Sequence, residues 1–417
     1  MFSTKLQDKS RRDVLKLAAA GVFAPSLSGW LPQLAKAAPA GGKGKAKSVV
    51  VLWMDGGPSH KDTWDLKPES KGAGQFKPVK TAAPGVEISE HLPKVAGLMN
   101  HGLVIRGVSS PEGAHARAKY FAHTGYREGQ GGVTYPSLGS ITSQELGKSD
   151  SPMPNFVAIG GRSYGSGFLG PKHQPLLITD PNRGVEDLKS AVSDTQLGNR
   201  VGLLEAMDKA FHREYGADNI TDHKTTYERA VKLMQSKESK AFDISSDPAK
   251  SKYGSGRFAE GVCMARRLVE VGVPFVEVAL GGWDTHQDVF TRVKNLSEQV
   301  DAALSALITD LKDKGLLDST LIVWMGEFGR TPNINSRGAN PGRDHYPRAW
   351  SIAMFGGGLR GGQVYGKTDK EGASPEKKVA VQDFLATVCE LTGIDHAKKN
   401  ETPTGRPIQI VEKPQPF

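Results

Sequence analysis

The chain has 417 residues, 38% of them hydrophobic and 24% charged, with a formal net charge of +9. That is ample apolar material for a buried core, which excludes a disordered chain. The charge is mild for the length and no Lys/Arg run forms a dense patch, which excludes nucleic acid as a partner.

The first segment reads as an export signal. Ser10-Arg11-Arg12-Asp13-Val14-Leu15-Lys16 sets two arginines before a mildly apolar run, Leu17 to Leu34, which ends in the small-x-small site Ala35-Lys36-Ala37. The run is broken by Gly21, Pro25 and Gly29, whereas a membrane span needs roughly 20 unbroken apolar residues. Residues 1–37 therefore read as a twin-arginine signal peptide. The export machinery is its partner, the periplasm or another extracytoplasmic space its destination, and no stable span remains in the mature chain. The signal holds six Lys/Arg and two Asp/Glu, so the net charge falls to +5 without it. Residues 38–47 read as a linker and 48–417 as a single domain.

Past the linker, buried strands alternate with helices. Val49-Val50-Val51-Leu52-Trp53-Met54 is a continuous apolar run stopped by Asp55-Gly56-Gly57-Pro58, the pattern of a parallel strand covered on both faces. His91 to Gly102 reads as a helix, with Leu103–Val108 a strand after it. Ser236–Ser255, rich in Ser, Lys and Asp, reads as a mobile surface loop. Phe258 to Val271 reads as a helix before a strand at Pro274–Leu280. Val300 to Lys314 precedes a strand at Thr320–Met325, and Ser351–Phe355 forms another strand. The only cysteines, Cys263 and Cys389, lie in apolar helical patterns and read as buried thiols. Alternation of this kind predicts an α/β fold, a doubly wound and mostly parallel sheet with helices on both faces. Ligands of such sheets bind beyond the carboxyl ends of the strands.

Polar residues gather at those ends. The first strand releases into Asp55 and His60, with Asp62 and Asp65 beyond. The strand at 274–280 releases into Asp284, His286 and Asp288. The strand at 320–325 releases into Glu327, and a Gly/Asn-rich loop then brings Asp344 and His345. Carboxylate oxygen and imidazole nitrogen are ligands for divalent cations, and ligands drawn from several strand ends let a rigid sheet fix their geometry. Asp62 and Asp65 read as turn or cap residues, and Trp64 and Trp283 as packing.

The motifs that carry these residues resemble a known family. Gly-Gly-Pro-Ser-His-Lys-Asp-Thr-Trp-Asp-Leu-Lys-Pro (56–68), Gly-Phe-Leu-Gly-Pro (167–171), Gly-Gly-Trp-Asp-Thr-His (281–286), Gly-Glu-Phe-Gly-Arg-Thr-Pro (326–332) and Gly-Arg-Asp-His-Tyr-Pro (342–347) look like the family 1501 group of domains of unknown function. That group is similar in turn to the alkaline phosphatase and sulfatase superfamily. The resemblance implies metal-binding roles for Asp55, for Asp284, His286 and Asp288, for Glu327 and for His345. Phe328, where the superfamily has a ligating His, cannot ligate. In the same correspondence His115, within Glu112-Gly-Ala-His115-Ala-Arg117, occupies the place of the superfamily's Ser, Thr or Cys nucleophile, which argues against the usual sulfatase route. Three roles stay open for His115: a metal ligand, a nucleophile forming phosphohistidine, or a remnant in a dead site. Ser59 is a fallback nucleophile that reads equally well as a helix cap.

The expectation is a metal-dependent hydrolase of an anionic ester, phosphate before sulfate, on a small molecule or glycan. One or two divalent ions (zinc, manganese, iron or calcium) would be held by residues among Asp55, His60, Asp284, His286, Asp288, Glu327, Asp344 and His345. His115 would be catalytic, with Arg117, Arg330 and Arg343 clamping the anion. The alternative is a non-catalytic metal- or glycan-binding exported protein on the same scaffold.

Overall fold

The structure, a computed structural model, describes residues 44–215, 219–336 and 340–412. The export signal read at 1–37 and residues 38–43 of the linker lie outside them. The chain is tied down before its first strand begins, because the Ala46 N–H donates to Leu391 O at 3.1 Å and the Lys47 N–H to Ser319 O at 2.8 Å. Strand β1 is Ser48–Met54, and the short β2 (Pro78–Lys80) and β3 (Glu87–Ser89) form a hairpin. Helix α1 (Pro93–Ala96) leads into β4 (Gly102–Ser109), followed by α2 (His115–Thr124) and α3 (Leu138–Glu145). Next come β5 (Phe156–Ile159), β6 (Leu176–Ile178), α4 (Asp194–Tyr215) and α5 (Asn219–Gln235).

Helix α6 (Arg257–Glu270) precedes β7 (Phe275–Leu280), and α7 (Val289–Asp313) precedes β8 (Thr320–Met325). Two-residue strands β9 (Gly329–Arg330) and β10 (His345–Tyr346) pair with each other before β11 (Trp350–Gly356). The chain ends through β12 (Gln363–Tyr365), β13 (Val379–Ala380), α8 (Val381–Thr392) and a hairpin of β14 (Lys399–Glu401) with β15 (Pro407–Gln409).

One nine-stranded sheet organises these elements in the order β12-β4-β11-β8-β1-β7-β5-β6, with β13 also paired to β4. Strand β1 lies at its centre, parallel to β7 on one side and β8 on the other. Strand β11 is antiparallel to both its neighbours, β4 and β8, so the sheet is mostly parallel with one reversed member. Strand periodicity divides the core in two. Val50, Leu52 and Met54 join the cluster formed with α6 and α7, while Val49, Val51 and Trp53 join the cluster formed with α2, α3 and α8. That is a doubly wound α/β fold.

Several local expectations change. The stretch read as a helix at 91–102 holds only the four-residue α1 and a 3₁₀ turn at Met99–His101, since Pro93 starts the helix, Gly97 ends it and Gly102 ends the 3₁₀ turn. Ser236–Ser255 is not a surface loop: it carries two 3₁₀ turns, Glu238–Phe242 and Lys250–Tyr253, and buries Ala241, Phe242, Ile244 and Tyr253 against the core. Cys263 and Cys389 are free and buried, and burial pushes their thiols up to about 11 and about 12, which makes them inert. No helix among the described residues is long and apolar enough to cross a membrane.

One charge sits inside this sheet. Glu277, in the middle of β7, is 4% exposed and accepts a hydrogen bond from His123 Nε2 of α2 at 3.2 Å. Burial alone would lower the His123 pKa, but the charge and hydrogen bond of Glu277 outweigh it and raise it. Removing one partner leaves the other uncompensated, so Glu277→Ala is expected to cost about 3–5 kcal/mol in urea unfolding, whereas Glu277→Leu with His123→Leu recovers most of it. The His123 contribution is present at low pH and fades as pH rises through its raised pKa, which a stability–pH profile of wild type against the double variant reads directly.

Candidate metal centre

The carboxyl edge of the sheet places polar side chains after each central strand. Asp55 follows β1, Asp284 and His286 follow β7, Glu327 follows β8, and His345 arrives through β10. His115 opens α2 in the segment after β4. The turn after β1 is tight enough to need glycine: Gly56 has φ of 117°, and a Cβ there would lie 2.3 Å from the Asp284 backbone nitrogen. Close approach of those two loops is what brings Asp284 into the site.

Three imidazoles meet around one carboxylate oxygen. Asp284 Oδ1 lies 3.4 Å from His115 Nε2, 3.2 Å from His286 Nε2 and 3.3 Å from His345 Nε2. The two Nε2 atoms of His286 and His345 are 3.0 Å apart. The far side of each ring faces an acceptor. His345 Nδ1 donates to Gly113 O at 2.9 Å, His286 Nδ1 to Asp344 Oδ1 at 2.8 Å, and His115 Nδ1 to Glu327 Oε1 at 2.7 Å. A carbonyl or carboxylate oxygen can only accept, so each Nδ1 carries a proton, and each Nε2 faces inward toward Asp284 Oδ1. With their inward protons given up, the three Nε2 atoms and the carboxylate oxygen could together hold a cation. Metal-binding histidines are oriented in the same way, by giving the other ring N–H to a carboxylate or carbonyl.

The donor set discriminates among cations. Imidazole nitrogens with one carboxylate oxygen suit zinc, manganese or iron, whereas calcium takes about six to eight oxygen ligands. Of the expected ions, calcium does not fit. One ligand atom of each of His115, Asp284 and His345 lies within 4.8 Å of the other two. His286 stands outside that group of three but touches two of its members, through Asp284 Oδ1 and His345 Nε2.

The remaining expected residues sort by their partners. Glu327 is wholly buried, and its oxygens accept from His115 and from the Gly56 N–H at 3.1 and 3.3 Å. It therefore holds the His115 ring from behind. Asp344 does the same for His286 and also accepts from Asn335 Nδ2 at 3.3 Å. His60 is buried away from the cluster, with Nε2 bonded to Gly372 O at 2.8 Å, and burial lowers its pKa. Asp288, in the left-handed region at φ 52°, flanks the start of α7 and stands outside the converging group.

Arg330 and Arg343, expected to clamp an anion, are wholly buried and engaged with the protein itself. Arg343 pairs its Nε and Nη2 with Asp62 at 2.7 and 3.2 Å and gives its other donors to the carbonyls of Gly72, Thr331 and Pro332. Arg330 holds the carbonyls of Gly56, Gly57 and Arg343 and reaches Asp284 Oδ1 at 2.6 Å. Burial would raise the Asp284 pKa, but Arg330, with His115 and His286, brings it down to about 2. Asp62 and Asp65 are buried ion-pair partners and not caps: Asp62 holds Arg343, and Asp65 meets Lys67 at 2.9 Å and Arg106 at 3.3 Å. Arg117 alone of the three arginines is exposed, bonded to Glu112 Oε2 at 2.9 Å. Ser59, the fallback nucleophile, is wholly buried.

Glu327 raises the His115 pKa through its hydrogen bond, and burial lowers that of His345. Phe328 packs beneath both rings, its centroid 5.0 Å from His115 and 4.7 Å from His345. One residue escaped the sequence reading. Lys119, a turn beyond His115 on α2, forms an ion pair with Asp55. The four-residue spacing from His115 was its only signal.

The family model described as a protein of unknown function (DUF1501) matches residues 46–416, so the chain belongs to that family. No curated protein matches it in sequence. Among solved structures, it is similar to the PsFucS1 sulfatase from Pseudoalteromonas sp., at 14% identity and TM-score 0.37, over 92% of this chain and 72% of that one. It is similar to the alkaline phosphatase of the Antarctic bacterium TAB5, at 11% identity and TM-score 0.38, over 85% of this chain and all of that one. The C-terminal periplasmic domain of EcEptC from Escherichia coli, in complex with Zn, matches at 11% identity and TM-score 0.35, over 86% of this chain and 85% of that one.

The burial of Arg343 separates a structural arginine from a substrate clamp. Lysine keeps the charge but has three donors instead of a planar fork of five, so Arg343→Lys is expected to lose about 2–4 kcal/mol of stability in urea unfolding. Arg117→Ala should stay within about 0.5 kcal/mol of wild type in the same measurement.

Proposed function

We propose that this member of the DUF1501 family is a metal-dependent hydrolase of an anionic ester, phosphate before sulfate, working outside the cytoplasm. The observation that carries the reading is the inward convergence of three imidazole Nε2 atoms on Asp284 Oδ1, each ring held from behind by an acceptor. The export signal read at residues 1–37 supplies the compartment.

His115, His286, His345 and Asp284 would hold a divalent zinc, manganese or iron ion. Bound there, such an ion supplies Lewis acidity to the ester and lowers the pKa of a water. The chain's own part is positioning. Glu327 and Asp344 fix two rings by their Nδ1–H groups, and Gly113 O fixes the third. Arg330 keeps Asp284 ionised, so that the carboxylate offers charge and not a proton. Exposed Arg117 is the guanidinium free to turn toward a bound anion, since its present partner Glu112 is a surface contact. His115 acts as ligand and not as nucleophile in this reading: its Nε2 is directed into the donor cluster beside Asp284. A phosphohistidine would add a third anion to that crowd.

Elemental mass spectrometry on protein purified without chelator tests the centre, with turnover of p-nitrophenyl phosphate and p-nitrophenyl sulfate measured alongside. Wild type is expected to hold zinc, manganese or iron and to turn over the phosphate ester faster than the sulfate. Asp284→Ala with His345→Ala should hold no metal and show no turnover. Asp344→Ala, which frees one ring, should weaken metal affinity about 10–100-fold while keeping the fold. A metal-free wild type with the double variant equally stable would sink the proposal. Metal without turnover of either ester would leave a metal-binding scaffold.

A further inference from the structure

We infer that the site takes one cation, and that the Lys119 ammonium stands where a second would otherwise share Asp55. This rests on the proposed metal centre and adds to it a count and a cause. Asp55 directly follows the central strand β1 and is half-exposed at the carboxyl edge, as a ligand would be, yet its Oδ1 is held by Lys119 Nζ. Lys119 comes from α2, the helix that also delivers His115, so the two groups are fixed on one rigid element a single turn apart. An ammonium bound to Asp55 neutralises the carboxylate and repels a divalent ion from the same spot.

The other groups that a second ion would need are spoken for. Glu327 is wholly buried and gives its oxygens to His115 and to the Gly56 N–H. Its neighbour Phe328 offers a ring and no donor, and that ring fills the space beneath His115 and His345. Asp344 Oδ1 accepts from His286. Among the described residues, a single group of His, Cys, Asp or Glu atoms comes close enough to hold an ion, and it does not include Asp55.

The count is read on the full chain equilibrated with zinc or manganese, by elemental mass spectrometry against protein concentration. Wild type is expected to hold about one equivalent, and Lys119→Met with Phe328→His about two, because Asp55 is released and a donor replaces the ring. Phe328→His alone, which keeps the ammonium on Asp55, should stay at about one, and so should Lys119→Met with Asp55→Asn. Asp55→Asn alone should keep its single ion, because Asp55 is no ligand, and loss of that ion overturns the inference even if the double variant does not fold. Two equivalents in wild type, loss of the ion in Asp55→Asn, or a folded Lys119→Met with Phe328→His that stays at one would each overturn the inference. A wild type that binds no ion at all, like Asp284→Ala, would instead remove the metal centre itself and this inference with it.

Discussion

The buried guanidinium of Arg330 is the contact on which the rest of the edge depends. It joins three loops that come from different parts of the sequence: the turn after β1 through Gly56 and Gly57, the loop after β7 through Asp284, and the segment before β10 through the Arg343 carbonyl. An arginine without solvent around it is costly unless its donors are satisfied, and here backbone carbonyls and one carboxylate satisfy four of them. The same bonds fix where Asp284 Oδ1 sits, and that atom is the centre to which three histidines point. Arg343 repeats the arrangement a layer away, holding Asp62 and the carbonyls of 72, 331 and 332. The two arginines therefore spend their charge on loop geometry, and the site inherits its precision from them.

Helix α2 is the second organising element. His115, Lys119 and His123 fall four residues apart on one face, and each meets a carboxylate from a different strand: Glu327 after β8, Asp55 after β1 and Glu277 within β7. Helix α2 reads three central strands at once because the rise of about 6 Å over four residues is near the separation of neighbouring strands, about 5 Å. The pairings also lock the helix register. Sliding α2 by one residue would take all three side chains off their partners, so the rigid core and the orientation of His115 are set by the same contacts.

The fold was legible in the sequence where physics leaves a strong trace. Strands β1, β7 and β8 are buried on both faces, so they appear as unbroken apolar runs, and glycines mark where each run releases its polar residues. The trace was weak elsewhere. Helices α4 and α5 are largely polar, and neither was anticipated. The reversed direction of β11 leaves no mark on its residues, because a central strand buries both faces whichever way it runs. At the site, sequence placed the carboxylates and histidines at the right edge but could not divide ligands from their supports. Glu327 and Asp284 are chemically alike, and only the partner of each oxygen tells them apart. The arginines misled for the same reason: a guanidinium suits an anion, and burial alone shows that Arg330 and Arg343 face the protein.

Phe328 shows what an aromatic ring does beside a cluster of imidazoles. An imidazole at this position would add a donor, but it would also need a partner for its own ring nitrogen in a place with no solvent. The phenyl ring has no such requirement. It packs against His115 and His345 from below and beside the Arg330 guanidinium, 5.8 Å from its centroid. Dense packing limits rotation of the two imidazoles, so their Nε2 atoms stay directed at Asp284. A donor at 328 and an unpaired Asp55 would go together in a two-ion centre. Phe328 and the Lys119–Asp55 pair would go together in a centre that takes one. Each half of the second arrangement makes the other less costly to keep.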